Sequence, residues 1–227
     1  MINSVKPNLI VSDSRGAWFR ATILFILALI GTVGMWSVVV FIPDIEKEFG
    51  LDRGTSSLLY AFTMIGFGFG TVVIGKVYDK FGIKKPILLA TFVLITSYYF
   101  YSIFPFYWQF LILQFFMGFA ASAFFGPAMA DISNFFNKQR GFALSIVASA
   151  NYVAGATWPL LIGYFLTFID WRAAHFWISI CLFIMIPLIL LLKNASVDES
   201  KSHDMKQRYK DIRPVSYTHL TLPTTGS

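Results

Sequence analysis

The sequence predicts an all-α membrane protein of six transmembrane helices, and three observations predict it. Hydrophobic residues make up 56% of the 227 positions and charged residues 13%, against roughly 25% charged in an ordinary globular chain. The charges are confined to short stretches, leaving uncharged runs at 21–43, 54–75, 86–130, 141–169 and 173–192. Basic residues then crowd alternate connections between those runs.

A bilayer-spanning helix needs roughly 20 apolar residues, because a hydrocarbon core of about 30 Å is crossed at about 1.5 Å per residue. Four runs are long enough for one span each, and 86–130 for two with a break near Pro105. The predicted helices are about 18–42, 54–75, 87–104, 108–131, 140–167 and 173–192. A soluble helical bundle would show polar outer faces at a 3.6-residue period, whereas these runs are apolar on every side. A cleaved secretory leader fits poorly, since residues 1–16 are polar and the first apolar run is too long. The single Cys181 excludes an intrachain disulfide and has no companions for a metal site.

Six spans place the N-terminus, the 76–86 loop, the 131–140 loop and the C-terminal tail on one side. That side carries fifteen of the 18 Lys and Arg; the other has Lys47, Arg53 and Arg172. Positive residues stay in the cytoplasm during insertion, so both termini are expected inside a plasma or inner membrane. This topology accounts for the net charge of +6 without invoking nucleic acid. On the outer side, Tyr99, Tyr101, Tyr107 and Trp108 cluster around the turn between spans three and four, as interface anchors do. Asn194-Ala195-Ser196 has the glycosylation pattern but falls on the cytoplasmic side.

The 76–86 loop carries a more specific pattern: Gly75, Asp79-Lys80, Gly82 and Lys84-Lys85. Gly75 allows close backbone approach, Gly82 a tight reversal, and Asp79 a local ion pair or a place at a neighbouring helix N-terminus. This stretch resembles the signature loop of the major facilitator superfamily, in the same place between spans two and three. The resemblance covers about residues 17–193 and implies half of a facilitator fold, six helices arranged as two inverted three-helix repeats. It also implies a missing C-terminal six-helix half. The expected organisation is a cytoplasmic N-terminus at 1–17, the six-helix half at 18–192, a cytoplasmic linker at 193–213 and a non-native or disordered tail at 214–227.

Further motifs resemble monocarboxylate and oxalate/formate-type transporters. They are Phe136-Asn137-Lys138-Gln139-Arg140-Gly141-Phe142-Ala143 at the entry to span five and Asp170-Trp171-Arg172-Ala173-Ala174 at span six, with Pro159 and Gly163 in accord. Gly16-Ala17-Trp18 is a weaker match, with Arg15 where the group has an acid. One departure is Gln114, where many facilitators carry an arginine four residues before a glycine, here Gly118.

Within the spans, the uncharged runs imply no buried charge. His175, near the outer end of span six, reads as a hydrated interface residue in preference to a proton relay. The neutral polar residues Trp36, Ser37, Gln114, Asn151 and Tyr152 are candidates to line a substrate cavity, with interhelical hydrogen bonding as the alternative. Gly66, Gly68 and Gly70 in span two suit close packing. Gly141, Ser145 and Ser149, and Ala150 with Ala154, recur at four-residue spacing in span five and suit either packing within this half or a seam against the other. Gly126-Pro127 and Pro159 are expected to kink spans four and five. A conformational gate is expected from Gly75, Asp79, Lys80, Gly82, Lys84, Lys85, Asp131 and Arg140, with Asp131 pairing to Lys80 or Lys84.

The functional expectation is the N-terminal half of a secondary transporter working by alternating access on small organic anions such as monocarboxylates, oxalate or formate. Alternatives are a facilitator for another solute, such as a sugar or drug, and a non-transporting six-helix membrane fragment. The spans hold no paired carboxylates, nucleophile–base pair or metal ligands, so no enzyme, cofactor or metal is expected. The expected partners are a small-molecule substrate, the lipid bilayer and the second half, with no nucleic acid.

Overall fold

The computed structural model describes residues 12–192. The expected linker and tail lie outside the described residues. Six helical stretches are long and apolar enough to cross a membrane: Arg15–Phe49, Arg53–Phe81, Lys84–Ile103, Tyr107–Phe135, Arg140–Phe165 and Trp171–Leu191. These are spans one to six, and no strand occurs among the described residues. Alternation puts the turns at 82–83 and 136–139 at one end of the bundle, here the lysine-rich end. The turns at 50–52, 104–106 and 166–170 lie at the opposite end.

Span one consists of α1 (Arg15–Gly31) and α2 (Val33–Phe49), separated at Thr32. Thr32 leaves helical geometry at ψ 5°, and its hydroxyl folds back to the Ala28 carbonyl at 2.7 Å. The break forms here without a proline. Span two is α3 (Arg53–Phe81) and span three α4 (Lys84–Ile103). Asp52 caps α3 by accepting from the Gly54 and Thr55 N–H groups at 2.9 and 3.3 Å, as an N-cap should.

Span four is α5 (Tyr107–Ser122) and α6 (Gly126–Phe135), so its expected kink is a full interruption ahead of Gly126-Pro127. Spans one and four each begin a three-helix set, and both are broken near the middle. The two breaks touch: a Cβ on Gly31 would lie 2.4 Å from the Phe124 ring, which is itself buried.

Span five is α7 (Arg140–Phe165), continuous through Pro159. Span six is α8 (Trp171–Cys181) and α9 (Met185–Leu191), joined by a 3₁₀ turn at Leu182–Ile184. Pro187 has no N–H to offer the Phe183 carbonyl, which favours the tighter turn there.

The closest helix pair is α3 against α5. A Cβ on Gly66 would lie 2.0 Å from the Phe115 carbonyl oxygen, and one on Gly118 1.9 Å from that of Thr63. Gly70 meets the Phe119 backbone in the same way, but Gly68 faces open space and takes no part, contrary to expectation. Backbones in contact maximise dispersion where lipid supplies no hydrophobic drive between helices.

In α7 the two small-residue series separate. Ala150 and Ala154 are buried inside the bundle, whereas Gly141 has no neighbour within 4 Å and Ser145 is exposed. One face of span five packs and the other is open.

Candidate functional site

Spans five and two are the least buried of the six. Ile65, Phe69 and Val72 of α3, and Tyr152, Leu160 and Tyr164 of α7, are large side chains left well exposed. Polar groups interrupt this open surface halfway along α7. The Trp36 Nε1–H donates to Asn151 Oδ1 at 3.1 Å. An indole N–H can only donate, so the atom it meets must be the amide oxygen. The Asn151 amide nitrogen then keeps both its donors, and no acceptor among the described residues takes them. Beside it Tyr152 is 71% exposed. The Trp36 ring lies over Gly155, where a Cβ would come within 3.0 Å, so the glycine admits the indole. One turn further on, Trp158 Nε1 donates to the Leu29 carbonyl at 2.8 Å, just before the break in span one.

Two other cavity candidates are placed differently. Ser37 shares a 2.6 Å hydrogen bond with the Tyr98 hydroxyl, and Gln114 Oε1 accepts from Thr63 at 3.0 Å. Both are 1% exposed, so they tie spans one to three and two to four inside the bundle, away from the open face. Burial left each polar group in need of a partner, and the neighbouring helix supplies it.

His175 also departs from expectation. It is 1% exposed, its Nδ1 is 2.7 Å from the Trp171 carbonyl, and its ring stacks on Tyr101 at 4.3 Å and lies tilted against Phe41 at 4.0 Å. Tyr101 is fully buried in this stack, so it is a core residue and no interface anchor. Tyr99 and Trp108 do remain exposed at that end.

The expectation of no buried charge is overturned at the lysine-rich end. Arg20 grips Asp131 through both carboxylate oxygens, Nε to Oδ2 at 2.6 Å and Nη2 to Oδ1 at 2.9 Å, with side chains 5% and 8% exposed. The guanidinium also lies 4.6 Å from the Phe135 ring centroid. Asp131 is therefore paired with span one and not with Lys80 or Lys84. A planar fork matches both oxygens, which an ammonium cannot do.

Asp13 completes this clasp. Its N–H donates to the Phe135 carbonyl, and its carboxylate accepts from the backbone N–H groups of Asn137, Lys138 and Gln139, each at 3.2 Å. Partial desolvation pushes the Asp13 carboxyl up, but these three N–H groups outweigh it and hold the group below the usual carboxylate range.

The other gate candidates lie on the surface of the same end. Gly82, at φ +72°, caps α3 by donating to the Tyr78 carbonyl at 2.7 Å, in a conformation that favours glycine. A Cβ on Gly75 would meet no other segment within 4 Å, so its bare backbone is not used for packing within the described residues. Asp79, Lys80, Lys85 and Arg140 are exposed and Lys84 is half-buried. None of these charges is ion-paired among the described residues.

At the opposite end the Trp171-Arg172 motif has a structural task. Glu48 of span one accepts from Trp171 Nε1 at 2.9 Å and from Arg172 Nη2 at 2.6 Å. Arg172 Nη1 donates to the Phe104 carbonyl at 2.8 Å. Glu46 adds contacts to Arg53 and to the Ser56 hydroxyl at the head of span two.

Comparison with known proteins agrees with this architecture. The chain is 28% identical over 148 residues to the MFS-type transporter pynF of Aspergillus niger, covering 63% of this chain and 33% of the relative. It is 26% identical over 156 residues to the Agnestins efflux protein AgnL12 of Paecilomyces divaricatus, covering 66% and 35%. With the inner membrane transport protein YnfM of Escherichia coli it shares 23% identity over 172 residues, covering 74% and 41%. The chain thus spans between a third and a half of the length of these relatives, all named as transport or efflux proteins. Residues 24–222 match the Major Facilitator Superfamily, and the chain belongs to that family.

Proposed function

We propose that this chain forms the N-terminal half of a secondary transporter that works by alternating access. In this reading its open face, along spans two and five, adjoins both a substrate path and a second six-helix half. The observation that carries the reading is the mid-span group of Asn151 and Tyr152. A free amide donor and an exposed hydroxyl halfway across a bilayer are costly unless they face a wet path or a solute. They suit a solute with oxygen acceptors, such as a carboxylate or carbonyl. Basic residues crowd one end, which supports cytoplasmic termini in a plasma or inner membrane.

The substrate class proposed is small organic anions, on the strength of the span-five and span-six motifs. In the full transporter, Asn151→Leu should raise KM for transport at least about tenfold, the weight of one lost hydrogen bond to a charged group. Helix content should not change. Transport equal to the parent's would remove Asn151 from the path. Uptake of labelled lactate, formate and oxalate into proteoliposomes tests the class; transport of a sugar or cation with none of the three would overturn it.

A second reading rests on the names of two relatives, the Agnestins and Fujikurins efflux proteins. Under it the solute is a larger organic product moved outward, and the aromatic open face would serve a ring system.

A further inference from the structure

Phe81 is the last residue of α3, at the turn where span two becomes span three, and it is 46% exposed. Two ammonium groups stand over its ring: Lys80 Nζ at 5.3 Å and Lys85 Nζ at 4.4 Å from the centroid. Lys84 opens α4 next to them, and Lys76 lies one turn back along α3. Against these four cations the stretch has one acid, Asp79, and none of the five is ion-paired among the described residues. The turn itself is firmly placed. Ile83 and Pro86 are buried, and Gly82 closes the helix through the Tyr78 carbonyl.

A half-exposed benzyl ring beside two ammoniums is poorly suited to water, where apolar area stays hydrated and an exposed cation–π contact is weak. It is well suited to a bilayer surface. There the ring can enter the boundary between headgroups and acyl chains while both ammoniums reach phosphate oxygens. The end of one span and the start of the next hold it at that level. The α4 N-terminus, where Lys84 and Lys85 sit, adds partial positive charge.

We propose that Lys80, Phe81 and Lys85, supported by Lys84, form a docking site for the headgroup of an anionic phospholipid. The occupant is a lipid and not a free phosphate, because the exposed ring beside the cations needs an apolar partner. The site differs from the Arg20–Asp131 clasp, which is buried and already neutralised.

The test uses the full chain in nanodiscs of phosphatidylcholine with a minor fraction of phosphatidylglycerol, counting lipids retained in native mass spectrometry. The parent should retain phosphatidylglycerol in preference to phosphatidylcholine. Lys80→Gln with Lys85→Gln should weaken that retention about 30-fold, since each basic residue at an anionic surface contributes about fivefold. Phe81→Ser should weaken it several-fold without changing charge. Lys138→Gln with Arg140→Gln removes the same charge from the neighbouring turn and should have a smaller effect. Equal losses from both double variants would overturn the site in favour of diffuse attraction. Two other results would also overturn it: no preference for phosphatidylglycerol in the parent, or displacement of the lipid by millimolar inorganic phosphate. Circular dichroism of each variant guards against misfolding, and Lys80→Arg with Lys85→Arg should keep the preference.

Discussion

Span one is tied to its neighbours at both ends, by unlike means. At the lysine-rich end, Arg20 and Asp131 are 5% and 8% exposed and joined by two hydrogen bonds. At the opposite end, Arg172 and Glu48 are 25% and 40% exposed, and Arg53 with Glu46 are 75% and 22% exposed. The first is a buried pair whose charges depend on each other; the second is a rim network shared with water. Burial sets the penalty for breaking a pair more than the pair's distance does. One end of the half is therefore closed by a brittle lock and the other by a forgiving one.

The largest expected effect lies in the buried pair. Arg20→Met should destabilise the helical bundle by about 3–5 kcal/mol, because Asp131 is left as a buried charge without that partner, and Asp131→Asn should destabilise it as well. The double variant Arg20→Met with Asp131→Leu should recover most of that loss, read as thermal unfolding in detergent. Single variants near parental stability would mean that water reaches the pair.

Next comes Arg172→Lys, which loses the bidentate reach to Glu48 and Phe104 while keeping the charge. A cost of about 1 kcal/mol is expected. Raising salt should weaken the parental contact at this end and leave the Arg20–Asp131 end unaffected. Arg53→Gln should cost less, within about 0.5 kcal/mol, since its side chain is mostly in water.

Acidification probes the two ends together and should have the smallest effect. Asp13 and Asp52 cap turns at opposite ends, and both carboxyls lie below their ordinary range. For Asp52 the causes are the Thr55 hydroxyl and then the Thr55 and Gly54 N–H groups. A depressed carboxyl stabilises the fold above its unfolded pKa and loses that contribution as pH falls through the folded value. Amide exchange of residues 137–139 and 54–55 should therefore quicken only below the usual carboxylate range. Asp13→Asn should remove the pH dependence at the first site and leave the second unchanged.

The contrast between the ends also marks how far the sequence can be read. The motif residues Trp171 and Arg172 are visible in it, but their partners Glu48 and Phe104 lie on other helices and share no spacing with them. Arg20 is missed for a related reason. It borders an uncharged run and counts there as one more positive residue at a membrane surface, while Asp131 lies 111 positions away. The lysines of the 76–86 loop are nearer to Asp131 in the sequence and border the same end of the bundle. The fork geometry of arginine and the inward face of α6 decided otherwise. Among the cavity candidates, Ser37 and Gln114 look like Asn151 in the sequence; only their direction from the helix axis separates core from open face.

What the sequence determines by itself is the number of spans and their order, and it supplies the basis for an expected sidedness in a bilayer. These follow from local quantities: the length of apolar runs and the count of basic residues between them. It also carries enough motif to indicate the superfamily. The tertiary structure decided which polar groups are spent on holding helices together and which remain free. It decided the break at Thr32 and its contact with the break before Gly126. It also set two ammoniums around Phe81. Each of these depends on which helix faces turn toward each other, a relation between distant segments that no run of neighbouring residues contains.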